Sequence, residues 1–163
     1  MTKVYAVKPE PWIGQLLGGA DFIDAYRISV PRPLSAMQAA QLMLERPPAW
    51  SVPLMRLRNA LVRPFGLRSG RELDQHAGPT AGLERIGIFP IQSATPRRVV
   101  LGFPDKHLDF RVVVDVAEAD GLSVVTATTL VRFNNLGGRL YLIAITPFHK
   151  LIVRASLARV AAA

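Results

Sequence analysis

The chain has 163 residues, half of them hydrophobic, with no cysteine and a formal charge of +8. Its size and apolar content fit one globular domain over 1–163 and argue against disorder. The lack of cysteine excludes disulfides, thiolate metal sites and cysteine nucleophiles. The charge alone would suit phosphate binding. However, sixteen of the twenty basic residues are arginines spread from Arg27 to Arg159, with no run longer than Arg97-Arg98 and no zinc-finger or aromatic-flanked RNA-binding pattern. That distribution argues against a nucleic-acid partner. Basic residues are enriched from Arg56 to Arg71 and after Asp120, beyond which no acid occurs. The N-terminus has no continuous apolar stretch of the signal-peptide kind, so the expected location is the cytoplasm.

The first twenty residues give no clear period, because Pro9, Pro11 and Gly18-Gly19 interrupt it. "DAYRISV" (24–30) reads as a strand ended by "PRP". Ser35 and Gln38 have capping-box spacing, opening a helix over about 36–46 that must stop before Pro47-Pro48. A second helix is expected over 52–65, with Leu54, Leu57, Leu61 and Phe65 on one face and Arg56, Asn59 and Arg63 on the other. It reads either as an ordinary surface helix or as a basic helix at a membrane. "SGRELDQHAGPTAG" (69–82) is a long polar connection carrying the lone His76.

After residue 84 the period becomes two. "RIGIFPI" (85–91), "RRVVLGF" (97–103), "HLDFRVVVDV" (107–116) and "LSVVTATTLVRF" (122–133) read as four strands of an antiparallel meander. In the third, Leu108, Phe110, Val112, Val114 and Val116 face one way, and His107, Asp109, Arg111 and Asp115 the other. One face of the sheet is therefore expected to be the core face. After "NNLGG" a helix of about two dozen residues is expected from Arg139. Its longest unbroken apolar run, Leu140 to Ile145, is far short of the roughly 20 residues that a bilayer span needs, and Lys150 and Arg154 lie farther along. No transmembrane segment is expected. Pro147 should bend this helix. Tyr141 sits within its apolar arc and His149 at the flank.

The element order is strand, helix, helix, meander and long C-terminal helix. It resembles the α+β helix-grip fold of the START-like or birch-pollen-allergen superfamily, in which a curved antiparallel β-sheet wraps a C-terminal α-helix. "ADFIDAYRISVP", "RPPAWSVPLMRLRNALVRPFGL", "IGIFPI", "LGFPDKHLDFRV" and "VRFNNLGGRLYLIAITPFHKLIV" resemble the bacterial family called domain of unknown function 2867, over about 20–159. The superfamily resemblance implies a cavity for a small hydrophobic ligand between sheet and helix. The residues expected to line it are Tyr141, Phe148, His149, Phe110, Asn134 and Ile145. Some members of such folds are cyclases or dehydratases, and relatives of this family look to be fused to oxidoreductase domains, which makes such a domain a candidate partner. No G-x-G-x-x-G follows a strand here, so the chain itself supplies no dinucleotide site and no cofactor is expected.

Neither a G-x-S-x-G elbow nor an H-E-x-x-H pair is present, and the three histidines are far apart in sequence, so no metal site is expected. His107, Asp109 and Arg111 share one strand face, with Arg132 on the next strand. They form either a carboxylate-oriented histidine for proton transfer or a solvated ion-pair ladder. If the cavity lies behind Phe110 and Val112, that row points away from it. Asn134 and Asn135 either make the turn or border the cavity mouth. Three functions follow as alternatives: a binding module for an apolar molecule, a cyclase- or dehydratase-like enzyme using Tyr141, His149 or Asp109, and a module for anionic surfaces.

Overall fold

The computed structural model describes residues 3–65 and 82–163, leaving aside the side chains at 54, 55, 58, 61, 62 and 65. The loop with His76 therefore lies outside the described residues, and of the four apolar side chains expected on the second helix only that of Leu57 is described. The fold is α+β. Seven strands, β1 (Tyr5–Val7), β2 (Phe22–Val30), β3 (Arg85–Ile86), β4 (Phe89–Ala94), β5 (Arg98–Pro104), β6 (Leu108–Ala119) and β7 (Leu122–Phe133), form one curved antiparallel sheet in the order β1-β2-β7-β6-β5-β4-β3. Among the described residues the α-helices are α1 (Ala36–Leu44), α2 (Ser51–Val62) and the long α3 (Leu136–Ala162).

The central hairpin follows from its sequence. Val112 and its period-two neighbours alternate across β6, and Asp120-Gly121 closes the hairpin as a two-residue loop with both φ positive, at 51° and 73°. Asp-Gly is suited to that turn because its twist matches the strands. The expected capping box opens α1: Ser35 Oγ accepts from Gln38 N–H at 3.2 Å, and Gln38 Oε1 accepts from Ser35 N–H at 2.9 Å.

The sheet's inner face carries the main core. Tyr26, Ile28, Val99, Leu101, Val112, Val114, Val125 and Ala127 meet Ala36, Ala39, Ala40 and Met43 of α1 and Val153, Leu157 and Val160 of α3. Alanines let α1 approach the sheet closely, and the larger residues of α3 fill the remainder.

Three expectations change. "RIGIFPI" is not one strand: Gly87, at φ 59°, breaks it into β3 and β4, and a Cβ there would stand 2.6 Å from the Leu44 carbonyl oxygen. The outer face is not bare. A 3-10 helix (Ile13–Leu17), ended by Gly18 at φ 65°, buries Ile13 and Leu17 against Val100, Val113 and Leu130. Finally, α3 begins at Leu136, three residues early, because Asn135 caps it: its Oδ1 accepts from Gly138 N–H at 3.0 Å. Asn135 has φ −160°, so it acts by capping and not by a left-handed turn. A side chain at Gly138 would collide with the His107 carbonyl oxygen, so the first turn needs glycine at that position.

By length and composition α3 could cross a bilayer, a measure that the short run from Leu140 to Ile145 does not reveal. In this fold it lies along the sheet with Leu142, Val153, Leu157 and Val160 buried.

Candidate functional site

Register decides which polar groups face the helix. In β2, Phe22, Asp24, Tyr26 and Ile28 alternate onto the inner face, and Asp24 pairs with Thr129 of β7, itself opposite Val112 of β6. An aspartate in that otherwise apolar row needs a partner, and α3 supplies it. His149 Nε2 lies 3.2 Å from each Asp24 oxygen, with bond geometry only to Oδ1. The two side chains are 15% and 13% exposed, and Phe22 meets the imidazole edge-on at 6.1 Å. Asp24 Oδ2 is buried with no hydrogen-bond partner among the described residues. The pair thus places an acceptor and a ring nitrogen inside the helix–sheet interface, with one acceptor position unused.

Tyr26 adjoins this pair. Burial pushes its hydroxyl pKa above the usual 10.0, the Asp24 carboxylate pushes it further, and Arg154 opposes both. The fold therefore favours the neutral phenol. That contribution is intact below pH 10.0 and is lost as pH rises through the folded-state value. In urea titrations above pH 10.0, Tyr26→Phe should lose stability less steeply than the parent protein. Parallel curves would show that the phenol plays no part.

Farther along the same face, Phe89, Phe103 and Phe110 touch one another, with centroids 5.8 to 6.4 Å apart. All three are only partly buried. Phe110 also joins the cluster around Leu108, Val131 and Leu142, against which Tyr141 and Ile145 of α3 pack. Of the expected ligand residues, the structure thus brings Phe110, Tyr141 and Ile145 together, with His149 farther along the helix. Phe148 turns outward and is partly exposed. Asn134 belongs elsewhere: its Nδ2 donates to the Asp105 carbonyl at 2.8 Å and to Asp109 Oδ1 at 3.2 Å.

The row His107, Asp109, Arg111 and Arg132 does not make a catalytic group with the α3 residues. Asp109 lies on the outer face and receives Arg132 Nη2 at 2.8 Å, while Arg132 Nη1 binds the Leu17 carbonyl at 2.9 Å. Arg111 Nη1 donates to the Phe110 carbonyl, and His107 stands outside β6 beside Asn135. Burial lowers the Arg111 pKa below its usual value, opposed by Asp109 and helped by Arg132. Within this row one ion pair forms, Arg132 with Asp109, on a largely buried carboxylate, and Arg132 ties the strand to the 3-10 helix. Asp109, Tyr141 and His149 do not converge.

An open depression of about 330 Å³ lies outside the start of α3, lined by Phe133, Asn134, Asn135, Leu136 and Arg139. It is not between the sheet and the helix. Among the described residues no group of three His, Asp or Glu side chains is placed to hold a metal.

A curved antiparallel sheet with a long C-terminal helix against its inner face, and two shorter helices beside it, defines an α+β sheet-and-helix domain consistent with a helix grip. The chain belongs to the family described as protein of unknown function (DUF2867), whose model matches residues 16–156. No curated protein and no solved structure matches it.

Proposed function

We propose that the domain binds a small apolar, ring-bearing molecule against the inner face of its sheet. The observation that carries this reading is the partly exposed phenylalanine trio. Elsewhere that face is closed by alanines of α1 and by Val153, Leu157 and Val160 of α3, but Phe89, Phe103 and Phe110 keep ring surface in contact with solvent. Aromatic side chains carry large apolar area and favour offset or edge contacts with another ring. Ligand sites combine such a lining with few polar groups that fix orientation. Asp24 and His149 supply such groups on the same face, and the resemblance to helix-grip ligand binders supports the same class of ligand.

The probe is N-phenyl-1-naphthylamine, an uncharged apolar dye. Its fluorescence should rise saturably on titration with the protein, and Phe103→Ala should weaken binding about tenfold, in line with loss of a large apolar contact. Phe148→Ala, on the outward side of α3, serves as the control and should bind as the parent does. No saturable rise, or equal loss at Phe103 and Phe148, would end the proposal.

A second reading, acid–base catalysis, rests on the Asp24–His149 pair, in which a carboxylate orients an imidazole. The residues that carry it are Asp24 and His149, with Tyr26 adjoining.

A further inference from the structure

The side of α3 turned away from the sheet is as apolar as the side that packs. At about 100° per residue, Leu136, Leu140, Ile143, Pro147 and Leu151 fall within an arc of roughly 80°, opposite the buried Leu142, Ser156 and Val160. Leu136, Leu140, Ile143 and Leu151 are 55–67% exposed. The stripe extends about 22 Å at 1.5 Å per residue. A helix with apolar residues on both sides ordinarily has both covered, and contiguous exposed apolar surface marks an interaction site.

Charge indicates what covers it. Arg139 and Lys150 flank one edge of the stripe and Arg154 continues it, all three exposed, and no acidic residue occurs after Asp120. A second copy would set one acid-free basic helix against another, on two chains each carrying +8. Such like-charge juxtaposition opposes a dimer through this face. An anionic lipid surface meets both requirements together: its acyl boundary accepts the leucines and isoleucine, while its headgroups pair with the arginines and lysine.

We infer that α3 docks lengthwise on an anionic membrane surface through this stripe, with its opposite side still on the sheet. The helix lies in the interface plane and does not span. Arg139 and Lys150 face headgroups, and Leu140 and Ile143 enter the boundary region. This docking leaves the phenylalanine trio on the inner face, so it does not depend on the proposed ligand.

The test is flotation of the full chain with phosphatidylcholine vesicles, with and without phosphatidylglycerol, at low and at physiological salt. Binding is expected only with phosphatidylglycerol and should weaken with salt. Arg139→Gln and Lys150→Gln should each weaken it about five-fold, the equivalent of about 1 kcal/mol per basic residue at such a surface. Leu140→Gln with Ile143→Gln, both exposed and both helix-compatible, should weaken it on the order of tenfold or more, with an unchanged circular dichroism spectrum. Three results would overturn the inference. One is no binding to phosphatidylglycerol vesicles at low salt. Another is unchanged binding by the Leu140/Ile143 variant, which would mean charge alone. The third is a dimer broken by that variant in a protein that ignores vesicles, which would assign the stripe to a second copy.

Discussion

Gly102→Ala is expected to remove more than about 3 kcal/mol of stability, a large share of what a domain of this kind holds. Gly102 sits within β5 at φ 136°, where L residues are strained, and a Cβ there would collide with the Phe110 carbonyl oxygen of the neighbouring strand. The first effect alone costs about 1–3 kcal/mol. The second forces β5 and β6 apart beside the phenylalanine trio. Gly19→Ala separates the two effects, since Gly19 has φ 111° but nothing within 4 Å of the position a Cβ would take. Urea midpoints should rank parent, Gly19→Ala and Gly102→Ala in falling order. Equal losses in the two variants would show that the contact with Phe110 is absorbed at no cost.

The second large effect is expected at the helix–sheet pair. His149→Ala leaves the Asp24 carboxylate buried with neither oxygen bonded by a side chain among the described residues. Stranding a buried charge costs about 2–3 kcal/mol at this partial exposure. The double exchange Asp24→Leu with His149→Leu should recover most of the loss, because two apolar groups in contact need no partners. A His149→Ala loss below about 0.5 kcal/mol would place the pair with ordinary surface ion pairs.

Much of this architecture is legible in the sequence where one physical rule dominates. β6 and β7 follow from their β-branched, period-two patterning and an Asp-Gly turn, and α1 from its capping box before two prolines. The misreadings share a cause, which is that glycine has more than one use. Gly137 and Gly138 read as turn residues, yet both lie in the first turn of α3, and at Gly138 the His107 carbonyl comes so close that a Cβ would not fit. Gly87 reads as part of a strand, yet its positive φ folds the chain back. The 3-10 helix is hidden because Ile13 and Leu17 stand between prolines and glycines, leaving too little period to register.

The candidate site is legible by halves. His149 stands out at the flank of an apolar arc. Its partner is 125 positions away, a separation that no local pattern spans. A signal for Asp24 was nonetheless present: alternation from Ile28 back through Tyr26 sets Asp24 on the inward side, where an unpaired carboxylate is out of keeping. Asp109 carries no such anomaly, because its parity sets it opposite Phe110. The phenylalanine trio depends on the turn that brings Phe89 of β4 beside Phe103 and Phe110, so it follows from the tertiary fold and not from spacing.

The sheet's margins carry a consequence of their own. Among the described residues it ends in β1, three residues long, and β3, two residues long, and Pro90 in the adjoining β4 has no N–H to offer. An open sheet invites aggregation when a long outer strand presents an unbroken ladder of free amides and carbonyls to a stranger's backbone. These stubs present almost none. Strand-by-strand growth into fibrils is thereby blunted at both ends, although the sheet is not closed into a barrel.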